Sequence, residues 1–305
     1  MPTWDELLLE IQGKGTTFDI IRRRELERVA HLTGRNVILY YSGWLQKPML
    51  GGILAGINDN DKNGFMTTIH GLKREKGLDI ILHTPGGEAA ATESLVDYLQ
   101  QMFKKDIRAI VPQLAMSAGT MIACACKSIV MGKQSSLGPI DPQIAGVAAH
   151  GIVEEFDTAY LEIQRDQRKI PLWQPIIAKY TPTLIGECQK AIDWSNEMVK
   201  SWLSTGMFKD LEQTARDQQV KRVMDTLSSH SLTKSHNRHL SAQGCIDIGL
   251  NVEWMESNQD LQDAILSVHH AAALTITNTN AIKLIENQEG KAYIQTAKID
   301  VIPAR

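Results

Sequence analysis

An α/β fold is what this sequence predicts, on three observations. A strand-like run at residues 78–82, the turn Thr84-Pro85-Gly86-Gly87 and a helical pattern at 88–103 make one strand–turn–helix unit. A second follows at once, with a strand at 107–111 and the small-residue turn Ala115-Met116-Ser117-Ala118-Gly119-Thr120 opening the next helix. Both strands are rich in branched aliphatic residues, as strands covered on two faces are. Two such units in succession form a βαβ arrangement, which sets both turns side by side at the carboxyl edge of one sheet.

The remaining elements are read around these units. Residues 4–11 and 18–32 have the spacing of amphipathic helices, and Asn36-Val37-Ile38-Leu39-Tyr40-Tyr41 has the content of a buried first strand. Residues 65–76 read as a helix. After Ser117 comes a short strand at 128–131, ended by Gly132, and then a Ser-Ser-Leu-Gly-Pro loop without hydrophobic periodicity. A helix at 152–165 carries Phe156, Tyr160 and Ile163 on one face. Residues 184–202 and 208–227 form a helical arm, 234–239 a polar loop, 241–250 a small closing helix and 261–271 a last helix. Alternation over 274–302, centred on Asn287-Gln288-Glu289-Gly290, reads as a terminal hairpin. The predicted division is an α/β core with its N-terminal helices over 1–205 and a helical arm with a C-terminal elaboration over 206–305.

Composition removes several classes of function. With 43% hydrophobic and 22% charged residues in 305, the chain is globular, not disordered. A formal charge of −3 gives no reason to expect nucleic acid as a partner. The one dense basic run, Arg22-Arg23-Arg24, stands beside Glu25 and Glu27 and reads as a solvated helical face. Residues 1–15 carry Asp5, Glu6 and Glu10 and have no cationic start, so no signal peptide is read there. Residues 109–126 and 264–282 lack Asp, Glu, Lys and Arg over a length near that of a membrane span. Pro112, Gln113, Ser117, Gly119 and Thr120 break the first, and His269, His270, Asn278 and Asn280 burden the second, so no membrane span is expected. Cys124, Cys126, Cys188 and Cys245 have no metal or redox spacing and read as buried thiols suited to a reducing compartment, the cytoplasm. No phosphate-binding loop and no dinucleotide fingerprint occurs, and no cofactor is expected. Asp59-x-Asp61-x-Asn63-Gly64 opens like a calcium loop, but His70 stands where a bidentate glutamate is required, so a polar loop that caps the following helix is read instead.

The paired turns have the parts acyl transfer needs. A serine hydroxyl becomes nucleophilic when a base takes its proton, and backbone N–H groups stabilise the oxyanion that forms. Ser117 lies in Ala-Met-Ser-Ala-Gly, one residue removed from the G-x-S-x-G turn because Ala115 replaces the first glycine. Gly86 and Gly87 free the backbone to face a pocket, and the N–H of Ala118 follows the nucleophile. On sequence two readings of Ser117 stay open: a nucleophile, or a buried serine that caps its own helix.

Those same residues resemble a known family. The Thr-Pro-Gly-Gly and Ala-Met-Ser-Ala-Gly-Thr turns, with Leu137-Gly138-Pro139-Ile140-Asp141-Pro142-Gln143, are similar to the ClpP/crotonase superfamily of serine peptidases, near the SppA-type signal peptide peptidases and the branch called serine dehydrogenase proteinases. The resemblance is dense over 36–143 and looser to about residue 203. It implies a ClpP/crotonase-like fold of stacked βα units with a helical C-terminal elaboration, and a serine endopeptidase acting on peptides or unfolded protein. It also implies a homo-oligomer, for which the apolar face of 184–202 is the expected contact. The catalytic serine is then Ser117 and the oxyanion donors are Gly86, Gly87 and Ala118.

The base is left to a choice. SppA-type relatives use a lysine and ClpP-type relatives a histidine followed by an aspartate. Lys179, among Trp173, Ile176, Ile177 and Tyr180, is the expected base, because burial there lowers a lysine pKa. Lys169 in a charged run and His150 are the other candidates. His83 abuts the Thr-Pro-Gly-Gly turn but alternation points it opposite to Leu82. Two other functions share the hole: a crotonase-type acyl-thioester enzyme, and a catalytically inactive scaffold of the same fold.

Overall fold

The computed structural model describes residues 18–50, 54–144, 146–228 and 238–297. The helix expected at 4–11 lies outside them, as does most of the loop at 234–239. At the centre is a seven-stranded sheet in the order β10-β5-β3-β2-β1-β11-β12. Its members are β1 (Asn36–Ser42), β2 (Leu78–His83), β3 (Ile107–Val111), β5 (Ser128–Met131), β10 (Val252–Trp254), β11 (Ala281–Asn287) and β12 (Ala292–Thr296). The five strands from β10 to β1 run parallel, and the hairpin β11–β12 adds antiparallel to β1. The sheet thus draws strands from both sides of residue 205.

Alternation along each strand feeds two cores. Ile38, Tyr40, Ile80, Leu82, Ala109 and Val111 face the layer formed by α3 (Ala89–Phe103), α4 (Ala118–Cys124), α7 (Leu184–Thr205) and α8 (Gln213–Leu227). Val37, Leu39, Tyr41, Ile81 and Ile110 face α1 (Phe18–Thr33) and α10 (Gln259–Asn278). β1 and β2 are buried along their whole length, which accounts for their apolar content. A small sheet of β4 (Leu114–Ala115), β6 (Ser136–Leu137) and β9 (Leu240–Ser241) sits beside the Ser117 turn. The Ser-Ser-Leu-Gly-Pro segment, read as a loop, therefore supplies a strand, because its partners β4 and β9 come from distant parts of the chain.

Several expectations are corrected. Arg22 is not on a solvated face: it is fully buried and binds Glu286 of β11 at 2.5 Å, Thr275 of α10 at 2.7 Å and Asp19 at 2.7 Å. The buried Glu286 carboxylate needs a cation, and it takes Arg23 as well, at 2.6 Å. The Asp59–Gly64 run is not a capping loop: α2 (Asn60–Ile69) runs through it, and Asp59 makes no side-chain cap. Gly64 is there for packing, since a Cβ would lie 2.5 Å from Ile285 Cδ1. The last helix extends to Asn278, beyond the expected 271, because its Ala- and Ile-rich face packs on α1.

A lobe stands apart from this frame. The short hairpin β7 (Gln143–Ile144) and β8 (Val147–Ala148) leads into α5 (Ala149–Arg165), followed by α6 (Ile170–Ile177). α5 buries only Ala149, Ile152 and Ala159, with Tyr160 exposed, and α6 buries nothing. The lobe is tied to α7 by a small cluster of Ala149, Ile152, Cys188 and Ile192. Further along, α7 buries Met198, Val199, Trp202 and Leu203 in the chain's own core. Much of its apolar face is therefore taken up internally, with Ile185 and Trp194 left exposed. A helix α9 (Ala242–Asp247), capped by Ser241 Oγ accepting from Gly244 N, leads into β10. No helix among the described residues is long and apolar enough to cross a membrane.

Candidate active site

The two turns meet at the carboxyl edge of β2 and β3, stitched by backbone hydrogen bonds. Thr84 N donates to Leu114 O at 3.1 Å and Met116 N donates to Thr84 O at 3.0 Å, so the residue after β2 pairs with the strand that precedes Ser117. The other side of the first turn is held by Ile57, whose N–H donates to Gly86 O at 2.7 Å and whose carbonyl accepts from Glu88 N at 2.9 Å. Thr120 Oγ1 donates to the carbonyl of Ala115 or of Gly138, each 2.9 Å away, and accepts from Gly138 N. Gly119 has to be glycine, since a Cβ there would lie 2.5 Å from Thr84 Cγ2.

Ser117 occupies the tightest point of this construction. Its backbone has φ 50° and ψ −116°, a conformation that non-glycine residues rarely adopt and that persists when the surroundings over-determine it. The residue is half-buried. Its side chain makes no cap on α4, which removes the reading of a serine serving its own helix. Its hydroxyl makes no hydrogen bond among the described residues and is uncommitted.

The glycines of the first turn have different parts. Gly86, at φ 104°, lies against the serine: a Cβ on it would sit 2.7 Å from Ser117 Cβ. Its own N–H is occupied by Thr84 Oγ1 at 3.2 Å, so its contribution is close approach and not donation. A Cβ on Gly87 would lie 2.2 Å from Ile57 N. Among the described residues the N–H groups of Gly87 and Ala118 donate to no protein acceptor. Two unoccupied donors thus flank one uncommitted hydroxyl, with one donor at a helix N-terminus.

The candidate bases all come from the lobe. Lys179 is exposed in the turn after α6, so the apolar burial expected of it is absent: α6 packs on α5 and the short turn before it, and buries no residue. Lys169 pairs with Glu162 at 3.1 Å on a half-exposed side chain. His150 is at the start of α5.

His83 is on the other face of the sheet, as alternation predicts. It lies between the rings of Tyr41 and Trp44, each 4.4 Å away, with His269 of α10 at 5.3 Å. Burial, and then the neighbouring His269, hold its pKa well below the usual histidine value. Its Nδ1 accepts from Leu114 N at 3.4 Å, which leaves the proton on a buried Nε2. His83 thereby supports the strand leading to Ser117 from behind. Among the described residues no group of His, Cys, Asp and Glu is arranged to hold a metal.

Sequence reasoning missed one group beside this site. Asp61, Lys283 and Tyr40 form a fully buried cluster directly behind Ile57. The available signal was a lysine in the middle of the apolar run Ala-Ile-Lys-Leu-Ile, since an unpaired charge is not buried there.

Comparison with known proteins agrees with this geometry. A family described as ClpP-like SDH-type serine proteinase matches residues 7–254. Two uncharacterized proteins of Methanocaldococcus jannaschii are similar to the chain. One, MJ1495, is 28% identical over 196 residues, which cover 64% of this chain and 59% of that protein. The other, MJ0137, is 34% identical over 114 residues, 37% of this chain and 40% of that one. The chain therefore spans less than two thirds of the length of either relative. No solved structure matches significantly. On the family match, which covers most of the chain, this protein belongs to the ClpP-like SDH-type serine proteinases.

Proposed function

We propose that this member of the ClpP-like serine proteinases is a serine endopeptidase that acts through an acyl-enzyme on Ser117. The conformation of Ser117 carries the reading: a strained serine with an uncommitted hydroxyl, held between two unoccupied N–H donors, has no structural task of its own. In the reaction the hydroxyl attacks the scissile carbonyl, and the oxyanion is received by the N–H groups of Gly87 and Ala118. Gly86 keeps the approach to Ser117 open. The same geometry favours a peptidase over an acyl-thioester enzyme, because enolate stabilisation needs the donors but no exposed nucleophile.

Lys179 is the proposed base. A lysine accepts a proton only when neutral, so its ammonium has to be covered. The apolar, uncovered α6, with Ile170 and Leu172 exposed, offers the surface for that. Assembly into a homo-oligomer that covers α6 would desolvate Lys179 together with those side chains. The substrate class is peptide or unfolded protein, and four free buried cysteines suit the reducing cytoplasm.

A fluorophosphonate probe tests the proposal, because it labels only an activated serine. Labelling is expected in the native protein and absent from Ser117→Ala with unchanged circular dichroism. Labelling that persists in that variant refutes the assignment.

A further inference from the structure

We infer that the buried Lys283–Asp61 pair is a positioning device for the oxyanion turn, supplied by the C-terminal hairpin, outside the part of the chain that matches the family. This rests on the reading of Gly87 as an oxyanion donor.

The geometry is specific. Lys283 Nζ, on β11, donates to Asp61 Oδ1 at 2.7 Å, to Asp61 Oδ2 at 2.9 Å and to Gly56 O at 2.8 Å. Asp61 Oδ2 also accepts from Tyr40 OH at 2.7 Å and from Asn58 N at 3.0 Å. Gln295 of β12 reaches Asp61 Oδ1 at 3.2 Å. Lys283 and Asp61 are both 0% exposed.

The pair therefore grips the backbone on each side of one residue, at the carbonyl of Gly56 and the N–H of Asn58. That residue is Ile57, which is bonded to Gly86 O and Glu88 N. A further anchor comes from Ser42 Oγ, which donates to Ala55 O. Residues 55–58 thus act as a short fixed template against which the turn 86–88 is zipped.

Peptide planarity then aims the donor. Gly86 C=O and Gly87 N–H belong to one trans peptide, so they point in opposite directions. Fixing Gly86 O on Ile57 N directs Gly87 N–H away from the template, to the side left open for an oxyanion. Rotation of this one peptide would lose the donor without moving Ser117.

Stability alone does not call for such a pair. Replacing a buried ion pair by apolar groups of similar shape is often neutral or stabilising. A charged clamp on two backbone groups has instead a directional task.

The test uses the full chain with Asp61→Asn and Lys283→Met combined, so that no unpaired charge is left buried. Amide hydrogen exchange at Ile57 and Glu88 reads the positioning directly, and fluorophosphonate labelling and peptide hydrolysis read its consequence. Exchange at both amides is expected to rise at least tenfold or so, with kcat falling by about 10²-fold and KM little changed, the size of effect seen when one oxyanion donor is lost. A folded double variant with native exchange at 57 and 88 and native kcat overturns the inference. If the native protein is not labelled at Ser117, the peptidase reading fails while the exchange result still decides whether the pair positions the turn. Should that variant not fold, Asp61→Asn combined with Lys283→Gln, which also leaves no charge buried, is read in the same way.

Discussion

Around Ser117, Thr84, Gly86 and Glu88 are bonded to Leu114, Met116 or Ile57, Gly87 is pressed against Ile57, and a one-carbon addition at Gly86, Gly87 or Gly119 meets an atom within 2.7 Å. In the lobe, α6 buries no residue and Lys179 is exposed. The proposed nucleophile and its donors thus stand in a tightly constrained part of the chain, and the proposed base in a loosely held one. The contrast shows what each task demands. Stabilising an oxyanion requires donors fixed before the reaction begins. A lysine needs only to be neutral and near when substrate is bound, and a cover supplied from outside can make it so.

The comparison breaks most clearly at the lysines, where the largest effect is expected. Lys179→Arg should lower peptide hydrolysis by about 10²- to 10⁴-fold, since arginine does not deprotonate and general base catalysis is worth that much. Lys169→Arg keeps its pairing with Glu162 and should stay near the native rate. The reverse result transfers the role to Lys169, and loss only in His150→Ala would place the base at the head of α5. Steady-state rates of the three purified variants decide among them.

A smaller effect is expected from the constrained side. Gly86→Ala brings a Cβ to 2.7 Å from Ser117 Cβ at a φ of 104°, so the turn has to shift. Fluorophosphonate labelling should slow by about 10²-fold or more. A substitution beside the lobe, Gly186→Ala in the first turn of α7, meets no atom within 4 Å and should leave labelling unchanged. Equal labelling in both variants would remove the distinction between the two regions.

The smallest effect concerns acid. His269 is pushed down to about 3 by burial and by His270, and His83 well below its usual value by burial and by His269. Both are neutral in the folded state, so below about pH 6.5 the unfolded chain binds the extra protons. Stability is therefore lost as pH falls below about 6.5, by about 1.4 kcal/mol per pH unit for His269 down to about 3, with His83 acting in the same direction. His269→Gln should remove about one proton's worth of that slope between pH 6 and 4, measured by urea unfolding. An unchanged slope would place the acid sensitivity outside His269.

What the sequence made legible was whatever is local. The strands at 36, 78, 107 and 128 follow from their aliphatic content, and the two turns follow from glycines and small residues with no other use. Ser117 was found because its turn is short and its neighbours are small. What escaped depends on partners far along the chain. Arg22 looked solvated until Glu286, 264 residues away, was seen to need a cation. Asp61 lies in a run that imitates a calcium loop, and only β11 reveals its lysine. The exposure of Lys179 escaped for the opposite reason. Its apolar neighbours suggest burial, but among the described residues they are only partly covered and Lys179 itself is exposed.

The four thiols turn the same contrast into a clock. Cys124, Cys126 and Cys245 lie in the main core, where burial raises all three and holds Cys126 and Cys245 up at about 12. Cys188 is also closed to solvent, but in the small cluster that ties the lobe to α7. An alkylating reagent reacts with thiolate, so each sulfur reports the opening of its own surroundings. Cys188 would be modified whenever the lobe lifts from α7, and the other three only when the sheet itself comes apart.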